Sequence, residues 1–340
     1  MIRVGLIGYG LAGAVFHEPL IRACGRLDLT GILTTRDHPL RVETLDELLA
    51  RSDLVVIATP NQTHFPLAMK ALEQDKHLVI DKPFTVMLEE ADTLIATAKD
   101  RRLILSVFQN RRWDGDFLTV EKIVPELEEV LLFEANWDRF RPAIKPGWRE
   151  VPEPGAGVFN DLGPHLIDQA LRLFGIPEAV DADILVQRPG ATVDDYFDVT
   201  LHYGRMRACL RSSSLVAEPR PRFAVHGMEG SFLKHGLDPQ EAQLKSGLRP
   251  GDPGFGIDFD HGTLVEPGRE SRKVPTERGD YLAFYTGIAS AILDGQPVPV
   301  PAGEARDGLL LIDLARRASV LGQRLPVPDA SSRAGSAREA

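Results

Sequence analysis

The chain has 340 residues, 43% of them hydrophobic, a length and composition that favour two buried cores over one. A formal charge of −10 and a pI near 5.4, with no basic run, argue against the phosphate neutralisation that a nucleic-acid partner demands. Cys24 and Cys209, the only cysteines, form no CxxC pair, which excludes a disulfide framework and a structural zinc site.

A reducing cytoplasm fits that cysteine usage. With a core-like strand opening the sequence, no signal peptide is expected, and no apolar run approaches membrane-spanning length. Up to about residue 110, β-branched runs recur at Ile2–Ile7, Leu29–Leu33, Leu54–Ala58, His77–Ile80 and Leu103–Phe108. Helical spacing fills the gaps at Leu11–Ala23, Pro66–Glu73 and Leu88–Ala98. Continuous apolar strands alternating with helices predict an α/β fold, a doubly wound parallel sheet covered on both faces.

Beyond about residue 120 the strands alternate apolar and polar residues, as half-buried antiparallel strands do. Phe197, Val199, Leu201 and Tyr203 show the pattern, and a turn at Tyr203–Met206 leads into a partner strand, Met206–Leu215. Further strands are expected near Val130–Phe140, Asp181–Gln187, Arg222–His226 and Ser231–Lys234, giving an α+β second domain. Ser246–Gly256 reads as a surface loop, Asp280–Leu293 and Glu304–Leu321 as helices, and 330–340 as a disordered tail. The expected division is 1–120, 121–325, and a tail over 326–340.

GYGLAG, with Tyr9, Leu11 and Ala12 between Gly8, Gly10 and Gly13, follows the first strand and opens a helix inside a βαβ unit. This is the context in which a glycine triplet binds a dinucleotide. Gly8 permits the tight turn, Gly10 lets backbone approach a pyrophosphate, and Gly13 brings helix and strand together. A carboxylate at the end of the second strand would pair with the ribose of NAD, and about 20 residues from Gly8 stands Asp28. Asp28 precedes its strand, however, and so falls at the wrong end. Thr34, Thr35 and Arg36 follow that strand instead, two hydroxyls and a guanidinium suited to a 2′-phosphate. NADP is therefore favoured, with NAD through Asp37 as the alternative.

Two more segments fall at strand C-termini, where open α/β sheets hold ligands. In the first, Thr59, Pro60, Asn61 and His64 either face the cofactor or support the helix from Pro66. In the second, Asp81 precedes Lys82 at the mouth of a buried strand, where partial desolvation would lower the lysine's pKa toward neutrality. A surface lysine is the alternative.

GAGVFNDLGPHLIDQAL, over 155–171, carries Asp161, His165 and Asp168 at spacings of four and three, on one helical face. Pro164 is acceptable there if it lies in the helix's first turn. One histidine and two aspartates make a poor zinc set, so no metal is expected. Asp161 as a helix cap and His165 as an acid/base group oriented by an aspartate are readings that spacing does not separate.

GYGLAG, TPNQTH, DKP and GAGVFNDLGPHLIDQAL together resemble the Gfo/Idh/MocA family of nicotinamide-dependent sugar and polyol oxidoreductases, across roughly residues 1–325. GYGLAGAVFHEPL, SVFQNRRWDGDFLTV, PGWRE and VDDYFDVTLHYG are similar to its NADP-dependent scyllo-inositol dehydrogenase branch. The resemblance implies a Rossmann domain followed by an α/β domain with a large, mostly antiparallel open sheet, and assembly as a homodimer or homotetramer. It implies catalytic roles for Lys82, Asp161 and His165, with Asp168 in the trailing acidic position. Asp81 stands where the family usually has Glu. Asn110, Arg111, Trp148, Arg149 and Tyr281 are candidates to bind substrate hydroxyls, each of which packing could also explain. The expected activity interconverts a secondary alcohol and a ketone on a cyclic polyol or sugar. Reduction of another carbonyl or imine, and nucleotide sensing without catalysis, are the alternatives.

Overall fold

A computed structural model of the protein describes residues 1–144, 150–152 and 155–328. The chain forms two compact units that interleave in sequence. One takes Met1–Asp114, Asp238–Ile257 and Arg278–Arg306, and the other takes Gly115–Leu237, Asp258–Glu277 and the chain from Asp307.

The first unit is built on six parallel strands: β1 (Ile2–Ile7), β2 (Leu27–Leu33), β3 (Arg41–Val42), β4 (Leu54–Ile57), β5 (His77–Asp81) and β6 (Leu105–Phe108). Their order is β3-β2-β1-β4-β5-β6, so the winding direction reverses between β1 and β4. The central strands are apolar throughout because both faces are covered, and every residue of β4 is buried. Asp28 pairs with Arg3 near the start of β2, the end away from Thr34.

The helical stretch over 11–23 contains a π-helical turn, Gly13–His17, followed by α1 (Glu18–Ala23). In that wide turn the Glu18 N–H reaches the Gly13 carbonyl, and Pro19, just beyond, has no amide to offer an α-helical ladder. α2 (Leu45–Ala50), α3 (His64–Glu73) and α4 (Leu88–Asp100) follow. β3 and α2, two and six residues long, carry no readable period and have no counterpart in the sequence reading.

The second unit begins with α5 (Gly115–Ile123), β7 (Val130–Asn136), α6 (Val158–Phe174), β8 (Ala179–Leu185), β9 (Tyr196–Tyr203), β10 (Met206–Ser213), β11 (Phe223–Gly227) and β12 (Gly230–Lys234). The chain returns to the first unit for α7 (Gln240–Ser246), adds β13 (Gly262–Val265) and β14 (Arg272–Val274) to the second, and returns again for α8 (Leu282–Asp294). α9 (Ala302–Leu321) and β15 (Leu325–Pro326) complete it. The nine strands run β14-β13-β12-β11-β7-β10-β9-β8-β15, antiparallel except for the β7–β10 pair. The protein is thus α/β, a parallel Rossmann sheet and a mixed, mostly antiparallel second sheet.

The alternation along β9 has the expected cause: Phe197, Val199 and Leu201 are buried, with Phe197 edge-on to Phe159 of α6. Pro326, on the tail side of the expected boundary, pairs with Ala179 of β8. The expected disordered tail over 330–340 lies outside the described residues. Among those described, no helix is long and apolar enough to cross a membrane.

Candidate active site

The glycine turn lies at the C-terminal end of β1, beside the point where strand order reverses. Gly8 has φ of +94°, and a Cβ there would stand 2.5 Å from the Ala58 carbonyl oxygen. A Cβ on Gly13 would stand 2.2 Å from the Gly8 carbonyl oxygen, so helix and turn close on each other only without one. Gly10 differs: beyond its own chain neighbours, no described heavy atom lies within 4 Å of where its Cβ would stand. Open space over backbone at the start of a helix, where the first amides lack intrahelical acceptors, fits the pyrophosphate of a dinucleotide. Gly8, Tyr9, Gly10, Leu11, Ala12 and Gly13 are the residues that would hold it.

Beyond β2, Thr34, Thr35 and Arg36 form a turn in which the Arg36 N–H donates to Thr34 Oγ1 at 3.1 Å, and Arg36 is exposed. A cluster the sequence reading misses stands nearby. The Tyr9 hydroxyl donates to Glu18, whose other oxygen lies 3.3 Å from His38 Nε2, and the Tyr9 and His38 rings meet edge-on at 4.9 Å. The Leu40 N–H donates to His38 Nδ1, so in the neutral ring Nε2 carries the proton toward Glu18. Burial, then Glu18, pushes the Tyr9 phenol up to about 12. Burial alone would raise Glu18, but Tyr9 and Arg22 outweigh it and hold the carboxyl low.

At the end of β4, the Thr63 hydroxyl donates to the Pro60 carbonyl and lies 2.6 Å from the Thr59 hydroxyl, closing a 3₁₀ turn with Asn61 half-buried and Pro60 exposed. His64 does not face outward. It is fully buried, its Nε2 2.9 Å from the Thr59 carbonyl and its Nδ1 3.0 Å and 3.2 Å from those of Pro83 and Phe84. It ties this loop to the segment after β5. Asp81 and Lys82, in that segment, are each half-buried, and the Lys82 N–H donates to Asp81 Oδ1 at 2.8 Å.

In the second unit α6 presents Asp161, His165 and Asp168, the last two buried. Asp161 lies in the first turn, its Oδ2 3.8 Å from Arg139 Nη1. His165 stacks beside Trp137, with ring planes inclined by 30° and ring centres 6.1 Å apart. The start of α6 is fixed from outside: the Phe159 N–H donates to Asp194 Oδ2 at 2.6 Å, and Gly157 leaves room for that carboxylate. Burial pushes the Asp194 carboxyl above its usual range, against the attraction of that amide and of Arg316.

Pro164 corrects an expectation, because it is the seventh residue of α6 and not in the first turn. At the preceding Gly163, with no Cβ, the Phe159 ring lies where a side chain would otherwise stand. Helix α6 continues past a residue that cannot donate to Asn160.

The proposed hydroxyl binders divide. Tyr281 has no exposed surface, and its hydroxyl donates to Asp114 and accepts from Arg111, each at 2.6 Å. Arg111 also binds Glu241 and is itself buried. Both side chains are engaged in the core of the first unit. Asn110 is buried in the 3₁₀ turn after β6. Trp148 and Arg149 lie outside the described residues. Among the described residues no three His, Cys, Asp or Glu side chains group as metal ligands.

A glycine turn at the switch point of a parallel sheet, followed by a second α/β unit with a mixed sheet, is the architecture of a dinucleotide-binding Rossmann protein with an added α/β unit. Residues 2–109 match the NAD-binding Rossmann fold of the Gfo/Idh/MocA oxidoreductase family, and residues 121–328 match its C-terminal alpha/beta domain. The chain belongs to that family. It is 43% identical to the uncharacterized oxidoreductase YdgJ of Escherichia coli over 92% of this chain and 95% of that one. It is 36% identical to scyllo-inositol 2-dehydrogenase (NADP(+)) IolW of Bacillus subtilis over 94% of each. The solved structure of the YPO2259 protein of Yersinia pestis is similar, with a TM-score of 0.92 and 43% identity over 96% of this chain and 97% of that one.

Proposed function

We propose that the protein interconverts a secondary alcohol and a ketone on a cyclic polyol or sugar of the scyllo-inositol kind, with NADP as its cofactor. The observation that carries this reading is the open space over Gly10, at the end of β1, in a chain of this oxidoreductase family. The similarity to a scyllo-inositol 2-dehydrogenase supports the substrate class, and Thr34, Thr35 and Arg36 after β2 support the phosphorylated dinucleotide. Thr59, Pro60, Asn61 and Asp81 complete the proposed cofactor contacts. When bound, NADP takes up or returns the hydride.

The chain's own residues handle position and protons. His165 takes the hydroxyl proton during oxidation and returns it during reduction, assisted by Lys82. Asp161, held near Arg139, orients substrate or imidazole, and Asp168, buried on the same helix, keeps His165 in register. Asn110 remains a candidate at the substrate hydroxyls. The substrate is a small molecule, and we expect a cytoplasmic homodimer or homotetramer.

Purified protein incubated with NADP and a panel of inositols, sugars and polyols tests the reading through absorbance of the reduced nicotinamide. Turnover of a cyclic polyol is expected. NADP binding without turnover of any panel member would overturn the activity and favour a sensor.

A further inference from the structure

In the first unit a buried imidazole is aimed at the segment that carries Lys82. His17 closes the π-helical turn and has no exposed surface. Its Nδ1 lies 2.6 Å from the hydroxyl of Tyr285 on α8, also fully buried, and its ring packs at 4.5 Å on Phe108 at the end of β6. Its Nε2 has no hydrogen-bond partner among the described residues and lies 3.9 Å from Asp81 Oδ1. That same oxygen accepts the N–H of Lys82.

The surroundings choose the tautomer. Burial pushes the pKa of His17 below its usual value, more than Asp81 draws it up, and His64 adds to the depression, so the ring is neutral at pH 7 with one N–H. A proton on Nδ1 would turn the Nε2 lone pair toward a carboxylate. A proton on Nε2 turns the positive end of the N–H toward it and lets the Tyr285 hydroxyl donate to Nδ1. Burial holds the Tyr285 phenol far above its usual value, which keeps that donor protonated. Both ends of the ring favour the Nε2 proton.

We infer that His17 is a positioning residue for Lys82. Tyr285 fixes its tautomer, and its Nε2–H holds Asp81 Oδ1 inward, in the rotamer that accepts the Lys82 amide. The second carboxylate oxygen is then the one presented at the C-terminal edge of the sheet. The inference rests on the reading that Lys82 handles a proton, and it names what sets that lysine in place.

The test uses the full chain and three substitutions. In His17→Gln an amide N–H reaches about as far as Nε2, whereas in His17→Asn it reaches only to about Nδ1. His17→Asn should lose about tenfold in kcat, with KM and NADP affinity within about twofold, and His17→Gln should recover most of that loss. Tyr285→Phe should lower kcat severalfold, again without moving KM. Equal losses in the two His17 variants, or losses shared by KM and NADP affinity, would overturn the inference. ¹⁵N NMR of the histidines at neutral pH reads the tautomer directly in the unaltered protein. Protonated Nε2 with hydrogen-bonded, unprotonated Nδ1 at His17 is expected, and the opposite tautomer or an imidazolium would refute it. Full turnover in Lys82→Ala would instead defeat the role of Lys82, and the NMR assignment would still report on His17 by itself.

Discussion

Two alanine substitutions in one turn should separate a glycine needed for folding from a glycine needed for a ligand. In Gly13→Ala the new methyl is placed 2.2 Å from the Gly8 carbonyl oxygen, whereas real Cβ atoms essentially never approach a heavy atom closer than 3.0 Å. The neighbour is backbone and cannot rotate aside, so turn and helix must separate by most of an ångström. Overpacking of this kind costs about 1–3 kcal/mol. In a unit of this size that lowers Tm by about 2–4 °C per kcal/mol. In Gly10→Ala the methyl meets no described atom within 4 Å beyond its chain neighbours, so Tm should stay within about 1 °C. The same methyl occupies the space assigned to the pyrophosphate. Displacing a charged phosphate from even one backbone amide forfeits about 1.5–3 kcal/mol, or about 10- to 150-fold in Kd. Thermal unfolding and titration with NADPH, followed by nicotinamide fluorescence, measure the two quantities on the same preparations. Wild-type NADPH affinity in a folded Gly10→Ala variant would refute the placement of the dinucleotide over this turn.

Lys82→Ala and His165→Ala should each lower kcat by at least about 100-fold while moving NADP affinity little, and comparable loss in both quantities would count against proton handling. Arg36→Ala should weaken NADP by about tenfold and leave NAD unchanged; an unaltered preference in competition titrations would remove the argument for the 2′-phosphate. Asp194→Ala should destabilise the protein by about 1–2 kcal/mol in denaturant titrations, because the Phe159 N–H at the start of α6 loses its acceptor, and Asp194→Asn should recover most of it. Glu241 sets a pH dependence: burial would raise its carboxyl, but Arg111 and Lys245 outweigh burial and hold it below its usual value. A carboxyl lower in the folded than in the unfolded state contributes stability above the unfolded pKa, and that stability is lost as pH falls through the folded value. Tm should therefore fall on acidification below the ordinary glutamate range, and Glu241→Gln should flatten that decline while costing about 1–3 kcal/mol at pH 7. An unchanged slope would show that Glu241 is not coupled to folding.

The two sheets were legible for different physical reasons. Strands such as Val4–Ile7 and Leu54–Ile57 are covered on both faces, so their apolar runs are unbroken, while β9 is covered on one and alternates. Short elements with no period escaped, as β3 and α2 did. The returns of the chain to the first unit through α7 and α8 also escaped, because helical spacing says that a face is buried without saying against what. Tyr281, Phe284 and Tyr285 in fact join the core that contains Val4, Leu6 and Phe108.

At the candidate site, residues with a direct chemical reason for their spacing stood out: the glycines by turn geometry, Asp161, His165 and Asp168 by a shared helical face. Residues whose work is to hold others did not. His64 follows a strand end and invites a cofactor role, yet its two nitrogens are turned to carbonyls of two loops. The Tyr281 hydroxyl looks available until Asp114 and Arg111 are placed beside it. Such supports pair across long separations, 268 residues between His17 and Tyr285, so no local pattern encodes them. One signal does survive in sequence. A buried polar group must find partners, so His17, set among the apolar residues of GAVFHEPLI, announced that a partner existed without naming Tyr285 or Asp81. The fold had to supply those names, because only packing decides which distant side chains reach a buried ring.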